Sequence, residues 1–342
     1  MRRAFVLMTA MPPTIGHRML IEYAHKLSTQ VTVIVCTQPG EPFAQERYWS
    51  ILDSVRHLSG VSIQRIHKTL PQEPEGAEGF WDMWASFLTQ FGFWEGDYIV
   101  ASEKYGVRLA EEVKGMFMPF DIERSIRYTK GTRIREDYRT YWEDILPEFR
   151  RYLQKRVTIF GAESVGKTTT AELLTDSLPN ARWYFEWARP YLESVGAEIT
   201  TRAMRNIYKG QTALQQLAFE DRTAEFSIFD TDLYSTIGYW EMYDRSSIPR
   251  SIYEKARTLK SNLYVILSSD IPFEADQLRY GGHERESTDQ YWINLCEREN
   301  LEYVYVRETE YRVSEVRDFI LEKWPGDELK YTRAGTEYEK SV

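Results

Sequence analysis

The sequence predicts an α/β protein made of two successive parallel-sheet domains. Three observations carry this. Short apolar runs alternate with helix-periodic segments in both halves, which is the pattern of βαβ units. Two such runs end in a glycine-containing turn that opens a helix, one near residue 16 and one near residue 166. The 342 residues suffice for two cores at roughly 150 residues each.

The first strand is the run Ala4 to Met8, AFVLM, and a helix follows from about Arg18. VTVIVCT is the second strand, Ala44 to Leu58 the second helix, VSIQRI the third strand, and DYIVAS a fourth after an aromatic helix from about Phe80. In that aromatic segment Trp81 and Trp84 recur at helical spacing, which fits core packing, with stacking on a ligand ring as the alternative. YRTYWEDILPEFRRYLQK, from Tyr138 to Lys155, reads as a charged helical connector. The boundary is placed between residues 138 and 156, giving domains of 1–145 and 146–342. A new strand, RVTIF, then restarts the alternation, followed by apolar runs in NARWYFEWARPYL, FSIFDTDLYST, NLYVILSSD and EYVYV and by a last helix, VSEVRDFILEKW. The polar tail after Pro325 is expected to fray.

Composition narrows the function classes. Hydrophobic residues make up 42% and charged residues 28%, ordinary for a globular protein, while aromatic content is high at 14%. A net charge of −9 argues against a broad nucleic-acid footprint but leaves room for local anion clefts. The two cysteines, Cys36 and Cys296, stand far apart and in no metal-ligand spacing, so neither a disulfide framework nor zinc is expected, and a reducing, cytoplasmic setting is. No apolar stretch approaches the roughly 20 residues of a membrane span. The opening MRRAFVLMTAM is read as a strand, because Pro12 and Pro13 end its short apolar run before any cleavage site.

The strongest motif is GAESVGKTT, a complete G-x-x-x-x-G-K-[ST] after Val157 to Phe160 and before a helical segment. In this P-loop Gly161 and Gly166 let the backbone wrap phosphates, with Ser164 and Thr169 beside them. Lys167 reaches the outer phosphates of ATP and Thr168 can ligate Mg2+. Phosphoryl transfer also needs acids near the metal and the acceptor. Asp230 follows FSIF and is assigned to the metal, while Glu186 or Asp232 orients or deprotonates the acceptor hydroxyl, a helix cap being the alternative for each. LRYGGHERES has the look of a lid, hinged at Gly281 and Gly282, with Arg279 and Arg285 as phosphoryl clamps or plain surface charge. Trp187 and Tyr191, next to Glu186, are further candidates for the acceptor pocket or for core packing.

A weaker motif stands near the start: Thr14, Ile15, Gly16 and His17. A histidine in the first turn of a helix can donate to a phosphate seated over the helix amides, or simply cap the helix. IRYTKGTRIRED adds a compact basic site in an acidic chain, with Lys130, Arg133 and Arg135, and places Thr132 and Arg135 on one helical face after Gly131.

T-I-G-H together with G-T-R-I-R resembles the paired signatures of the nucleotidyltransferase superfamily, and ASEKYG resembles the SE-x-YG stretch of its nicotinamide mononucleotide adenylyltransferases. With a P-loop kinase directly behind them, the order over nearly the whole chain is similar to the NadR family. The resemblance implies a Rossmann-like nucleotidyltransferase followed by a P-loop kinase, together a bifunctional NAD salvage enzyme. The kinase would phosphorylate ribosylnicotinamide with ATP, and the first domain would join nicotinamide mononucleotide to AMP from a second ATP, releasing pyrophosphate. His17 would lie near the α-phosphate, with Thr132 and Arg135 toward the pyrophosphate. Where the family pattern has glycine and phenylalanine, this chain has Met8 and Ala10. An active kinase with a degenerate first domain, or a pyridine-nucleotide sensor, is the alternative. Many NadR proteins begin with a DNA-binding helix-turn-helix domain. Because this chain opens on its first strand, no DNA partner is expected, no membrane partner either, and a homo-oligomer is compatible with the reading.

Overall fold

The computed structural model describes residues 2–71, 78–126, 130–196, 198–270, 285–307 and 309–331. They form two compact units, one running to Tyr152 and joined by the segment from Gly326, the other Leu153–Pro325.

In the first unit the elements are β1 (Ala4–Met8), α1 (Ile15–Leu27), β2 (Val31–Thr37), α2 (Ala44–Val55), β3 (Val61–His67), α3 (Phe80–Gln90), β4 (Tyr98–Ala101), α4 (Tyr105–Glu112), β5 (Met116–Pro119), α5 (Gly131–Glu136) and α6 (Pro147–Arg150). The strands form a parallel sheet in the order β3-β2-β1-β4-β5. Central strands are buried on both faces, so β2 reads as an almost unbroken apolar run, while edge strand β3 buries only Ile63 and Ile66. The strand order reverses between β1 and β4, and ligands of open α/β sheets bind outside the carboxyl ends of strands at such a point. T-I-G-H follows β1 and S-E-K-Y-G follows β4. Trp84 is buried in the core with Phe5, Phe80 and Phe93, and Trp81 packs against it, so the aromatic helix serves the core.

In the second unit follow β6 (Lys155–Gly161), α7 (Lys167–Ser177), β7 (Ala181–Tyr184), α8 (Ala188–Val195), α9 (Thr201–Glu220), β8 (Phe226–Phe229), α10 (Leu233–Asp244), α11 (Arg250–Thr258), β9 (Leu263–Leu267), α12 (Arg285–Arg298), β10 (Tyr303–Val306) and α13 (Arg312–Lys323). Its parallel sheet runs β10-β9-β6-β8-β7. The period of two along a strand divides the core between the faces. Val157, Ile159, Leu263 and Val265 join one cluster, while Phe160, Tyr264 and Ile266 join the other.

The structure corrects two expectations. The segment from Tyr138 to Lys155 is not a helix but turns, a single 3₁₀ turn at Trp142–Asp144 and the four-residue α6. The compact units divide after Tyr152. The physical reason is that residues 145–149 complete the first unit: Ile145 bridges Thr14, the Leu146 N–H donates to Pro13 O at 2.9 Å, and buried Phe149 meets the Phe43 ring edge-on at 5.5 Å. The tail does not fray at once after Pro325, since Leu329 is buried and the Tyr138 hydroxyl donates to Glu328 at 3.0 Å. The long helix α9, rich in polar residues, and edge strand β5 with α4 are elements that apolar runs alone do not reveal.

Candidate functional site

Thr14 caps α1, and its partner in the cap is His17. The Thr14 side chain accepts from the His17 N–H at 3.3 Å, and the Thr14 backbone N–H donates to His17 Nδ1 at 3.0 Å. This is a capping box in which histidine takes the place usually filled by glutamate. A backbone N–H can only donate, so Nδ1 accepts, and Nε2 is the nitrogen that bears the proton in the neutral ring. The Thr14 hydroxyl, 2.7 Å from Nδ1, is a second donor to it. Burial, with the Arg124 guanidinium second, pushes the His17 imidazole down to about 4, so it is neutral near pH 7.

The second basic stretch comes to the same loop. Arg135 donates to Met11 O at 2.8 Å and to the Thr132 hydroxyl at 3.3 Å. A Cβ on Gly131 would stand 3.1 Å from that same Met11 carbonyl, so glycine is what lets α5 approach. Thus the loop that leads into Thr14, Gly16 and His17 is met at Met11 by Arg135 across more than a hundred residues of sequence. Thr132 is exposed, as are Lys130 and Arg133. Arg124 also belongs here, its Nη2 lying 3.5 Å from Glu103 of the S-E-K-Y-G turn. Sequence pattern gave no sign of it, because nothing in its spacing differs from an ordinary loop arginine.

In the second unit β6 and β8 are neighbours, which sets the P-loop after β6 beside the acid after β8. Gly161 and Gly166 both take positive φ, and the loop ends in α7, whose first residues are Lys167, Thr168 and the exposed Thr169. Ser164 also has positive φ, at 62°. The Thr168 hydroxyl donates to Asp230 Oδ2 at 2.6 Å. Asp230 Oδ1 is buried with no hydrogen-bond partner among the described residues, and burial raises its pKa above the usual carboxylate range. An orphaned buried carboxylate oxygen next to a threonine hydroxyl fits a hard cation such as Mg2+, which keeps most of its shell as water and phosphate. No cluster of three or more histidine, cysteine or acidic side chains occurs among the described residues.

Beside this pair lies a pocket between α8, α9 and α10, lined by Glu163, Glu186, Leu192, Gln211, Thr231 and Tyr239 among others. Glu186 therefore faces the pocket. Asp232 does not line it: fully buried, it accepts from the Tyr264 hydroxyl at 2.9 Å and from the Ser235 N–H at 3.0 Å, which caps α10. Burial pushes its carboxyl up to about 6. Of the two acids considered for the acceptor hydroxyl, Asp232 is the structural one. Trp187 and Tyr191 stack on each other at 5.1 Å and pack against the core instead of lining the pocket. A residue that sequence reading missed is Gln211, buried in α9. It accepts from the Trp187 N–H at 3.3 Å and donates to Thr231 O at 3.0 Å, tying the loop of Glu186 to the loop of Asp230. Arg279, with the hinge at Gly281 and Gly282, lies outside the described residues. Arg285 starts α12, but its side chain is outside them too. No described helix is long and apolar enough to cross a membrane.

Comparison with known proteins gives a consistent picture. The family model described as "AAA domain" matches residues 156–312, the part that holds the P-loop. The chain is 24% identical over 287 residues to the trifunctional NAD biosynthesis/regulator protein NadR of Salmonella typhimurium and 25% identical over 285 residues to that of Escherichia coli, each match spanning 79% of this chain and 67% of the relative. Among solved structures, NadR in complex with NR aligns with a TM-score of 0.63 at 19% identity, covering 97% of this chain and 98% of that one. NadR in complex with NAD and AMP-PNP aligns with a TM-score of 0.62 at 19% identity, covering 98% and 99%. These likenesses fix the fold, two parallel-sheet α/β units. In motif order and over 79% of its length this chain is similar to the NadR proteins.

Proposed function

We propose that the chain is a bifunctional NAD salvage enzyme that phosphorylates ribosylnicotinamide and then adenylylates the resulting mononucleotide. The observation that carries the kinase half is the Thr168–Asp230 bond next to a pocket that also presents Glu186. ATP lies along the P-loop, with the backbone from Gly161 through Ser164 to Gly166 and the start of α7 at Thr169 taking the phosphates and Lys167 the outer ones. Thr168 and Asp230 would hold Mg2+, which neutralises charge on the β- and γ-phosphates when bound. The nucleoside 5′-hydroxyl attacks the γ-phosphorus, its proton passes to Glu186, and the bond to ADP breaks. Gln211 keeps the loop of Glu186 in register with that of Asp230, so acceptor and donor meet in line.

In the first unit a mononucleotide phosphate oxygen attacks the α-phosphorus of a second ATP and pyrophosphate leaves. No protein nucleophile is needed. His17 donates from Nε2 to the phosphate in transit, seated over the α1 amides near Thr14 and Gly16, while Thr132 and Arg135 meet the departing pyrophosphate. The names of similar proteins, NAD biosynthesis proteins and structures with NR, NAD and AMP-PNP, support this choice of substrates.

Incubation with ribosylnicotinamide, ATP and magnesium, followed by chromatography, tests the reading. Nicotinamide mononucleotide and NAD should both appear. Mononucleotide alone would reduce the first unit to a binding module, and neither product would overturn the reading altogether.

A further inference from the structure

The P-loop lysine is held by a residue that belongs to the acceptor pocket. Lys167 Nζ donates to Ala162 O at 2.7 Å and Gly161 O at 3.2 Å, and also to the Tyr239 hydroxyl at 3.2 Å. Its Nζ lies 5.9 Å from the Tyr239 ring centroid. Tyr239 comes from α10 and lines the pocket together with Glu163 and Glu186. Its ring is fixed from behind: it meets Trp292 edge-on at 5.4 Å, and Trp292, fully buried, lies 5.1 Å from Phe160 of β6, one residue before the P-loop. The phenol is thus built into the same packing that carries the phosphate loop.

Resting on the kinase reading above, we propose that Tyr239 is a positioning residue that sets how Lys167 approaches the phosphoryl group leaving the donor for the pocket. A phenol that accepts from Lys167 keeps its own proton as a donor. Burial and the surrounding carboxylates of Glu186, Glu163 and Asp230 hold that phenol protonated throughout the working pH range. When a triphosphate binds, Lys167 exchanges its loop carbonyls for phosphate oxygens while the phenol steadies it from the acceptor side.

Tyr239→Phe removes the hydroxyl and keeps the ring against Trp292. Calorimetric titration with AMP-PNP and with ADP, each with magnesium, reads the lysine's grip on the outer phosphate without any acceptor. The variant should bind ADP within about twofold of the unmodified protein and AMP-PNP at least fivefold more weakly, since the lysine serves the outer phosphates. In phosphorylation of ribosylnicotinamide, kcat should fall about tenfold or more with KM for the nucleoside little changed. Equal effects on both nucleotides, no effect on either, or a rise in KM alone would overturn the proposal. If the unmodified protein makes no mononucleotide, the kinase reading fails, and the ratio of the two nucleotide affinities still decides the role of Tyr239.

Discussion

The Thr14 backbone N–H donates to Nδ1 of His17 at 3.0 Å, so one side of the imidazole is spent on holding the first turn of α1 and the other is left to carry the proton. Structure and chemistry are shared by a single ring. His17→Ala should therefore have two separable effects. Loss of the cap costs about 1 kcal/mol of stability in the first unit. Loss of the Nε2 donor should lower NAD formation by about 100-fold or more while nicotinamide mononucleotide formation persists. Product chromatography of the variant against the unmodified protein checks both steps in one assay.

The protonation of His17 gives a signed pH prediction. Its folded value, about 4, lies below the 6.5 of an unperturbed histidine. Between those values the unfolded chain binds the proton that the folded chain refuses, so His17 makes stability rise with pH from about 4 to about 6.5 and adds no slope above. Urea unfolding of the protein and of His17→Asn, from pH 4 to 8, should show their difference in stability change with pH between about 4 and 6.5 and level off above. NMR titration of the ring gives the value directly. Arg124→Ala should raise it, yet leave it below 6.5, because burial is the larger cause.

Asp230 opposes stability to function. Its carboxylate is buried, one oxygen has no hydrogen-bond partner among the described residues, and burial disfavours its charge. Asp230→Asn removes the charge and still offers an oxygen to the Thr168 hydroxyl. The variant should keep or slightly raise the melting temperature without nucleotide, while losing magnesium-dependent kinase activity by about 100-fold or more. Differential scanning calorimetry and the mononucleotide assay measure the two sides. A clear fall in melting temperature would mean that the carboxylate is held by something other than an absent cation.

Phe149 tests where the first unit ends. It is fully buried and meets Phe43 edge-on, inside the range 138–156 in which the sequence pattern places the boundary. Phe149→Ala should cost about 3–5 kcal/mol in the first unit. Adenylyl transfer should then be lost at a lower temperature than in the unmodified protein, with the thermal limit of the kinase reaction unmoved. A fragment of residues 1–145 should fail to fold cooperatively.

Much of this is legible in the residue pattern. The strands at Ala4–Met8 and Val31–Thr37 stand where their apolar runs do, since a strand buried on both faces must be apolar along its length. The P-loop is legible for a related reason: glycine, lysine and threonine at fixed spacing are dictated by the local path of one short loop. Helix α9 was hidden because its exposed side is polar, and Gln211 was hidden within it. An amide that ties two loops leaves no spacing of its own.

The two parallel sheets, the order of the two phosphate motifs and the kinds of residue at strand ends follow from the residue pattern, because those depend on contacts close along the chain. Only the tertiary structure decided that Asp232 caps a helix while Glu186 faces the pocket, that Arg135 closes onto Met11, and that the first unit extends to Tyr152. Each of these joins groups far apart in the chain or depends on which face of the sheet a side chain occupies, and burial and hydrogen-bond satisfaction, rather than local pattern, settle such choices.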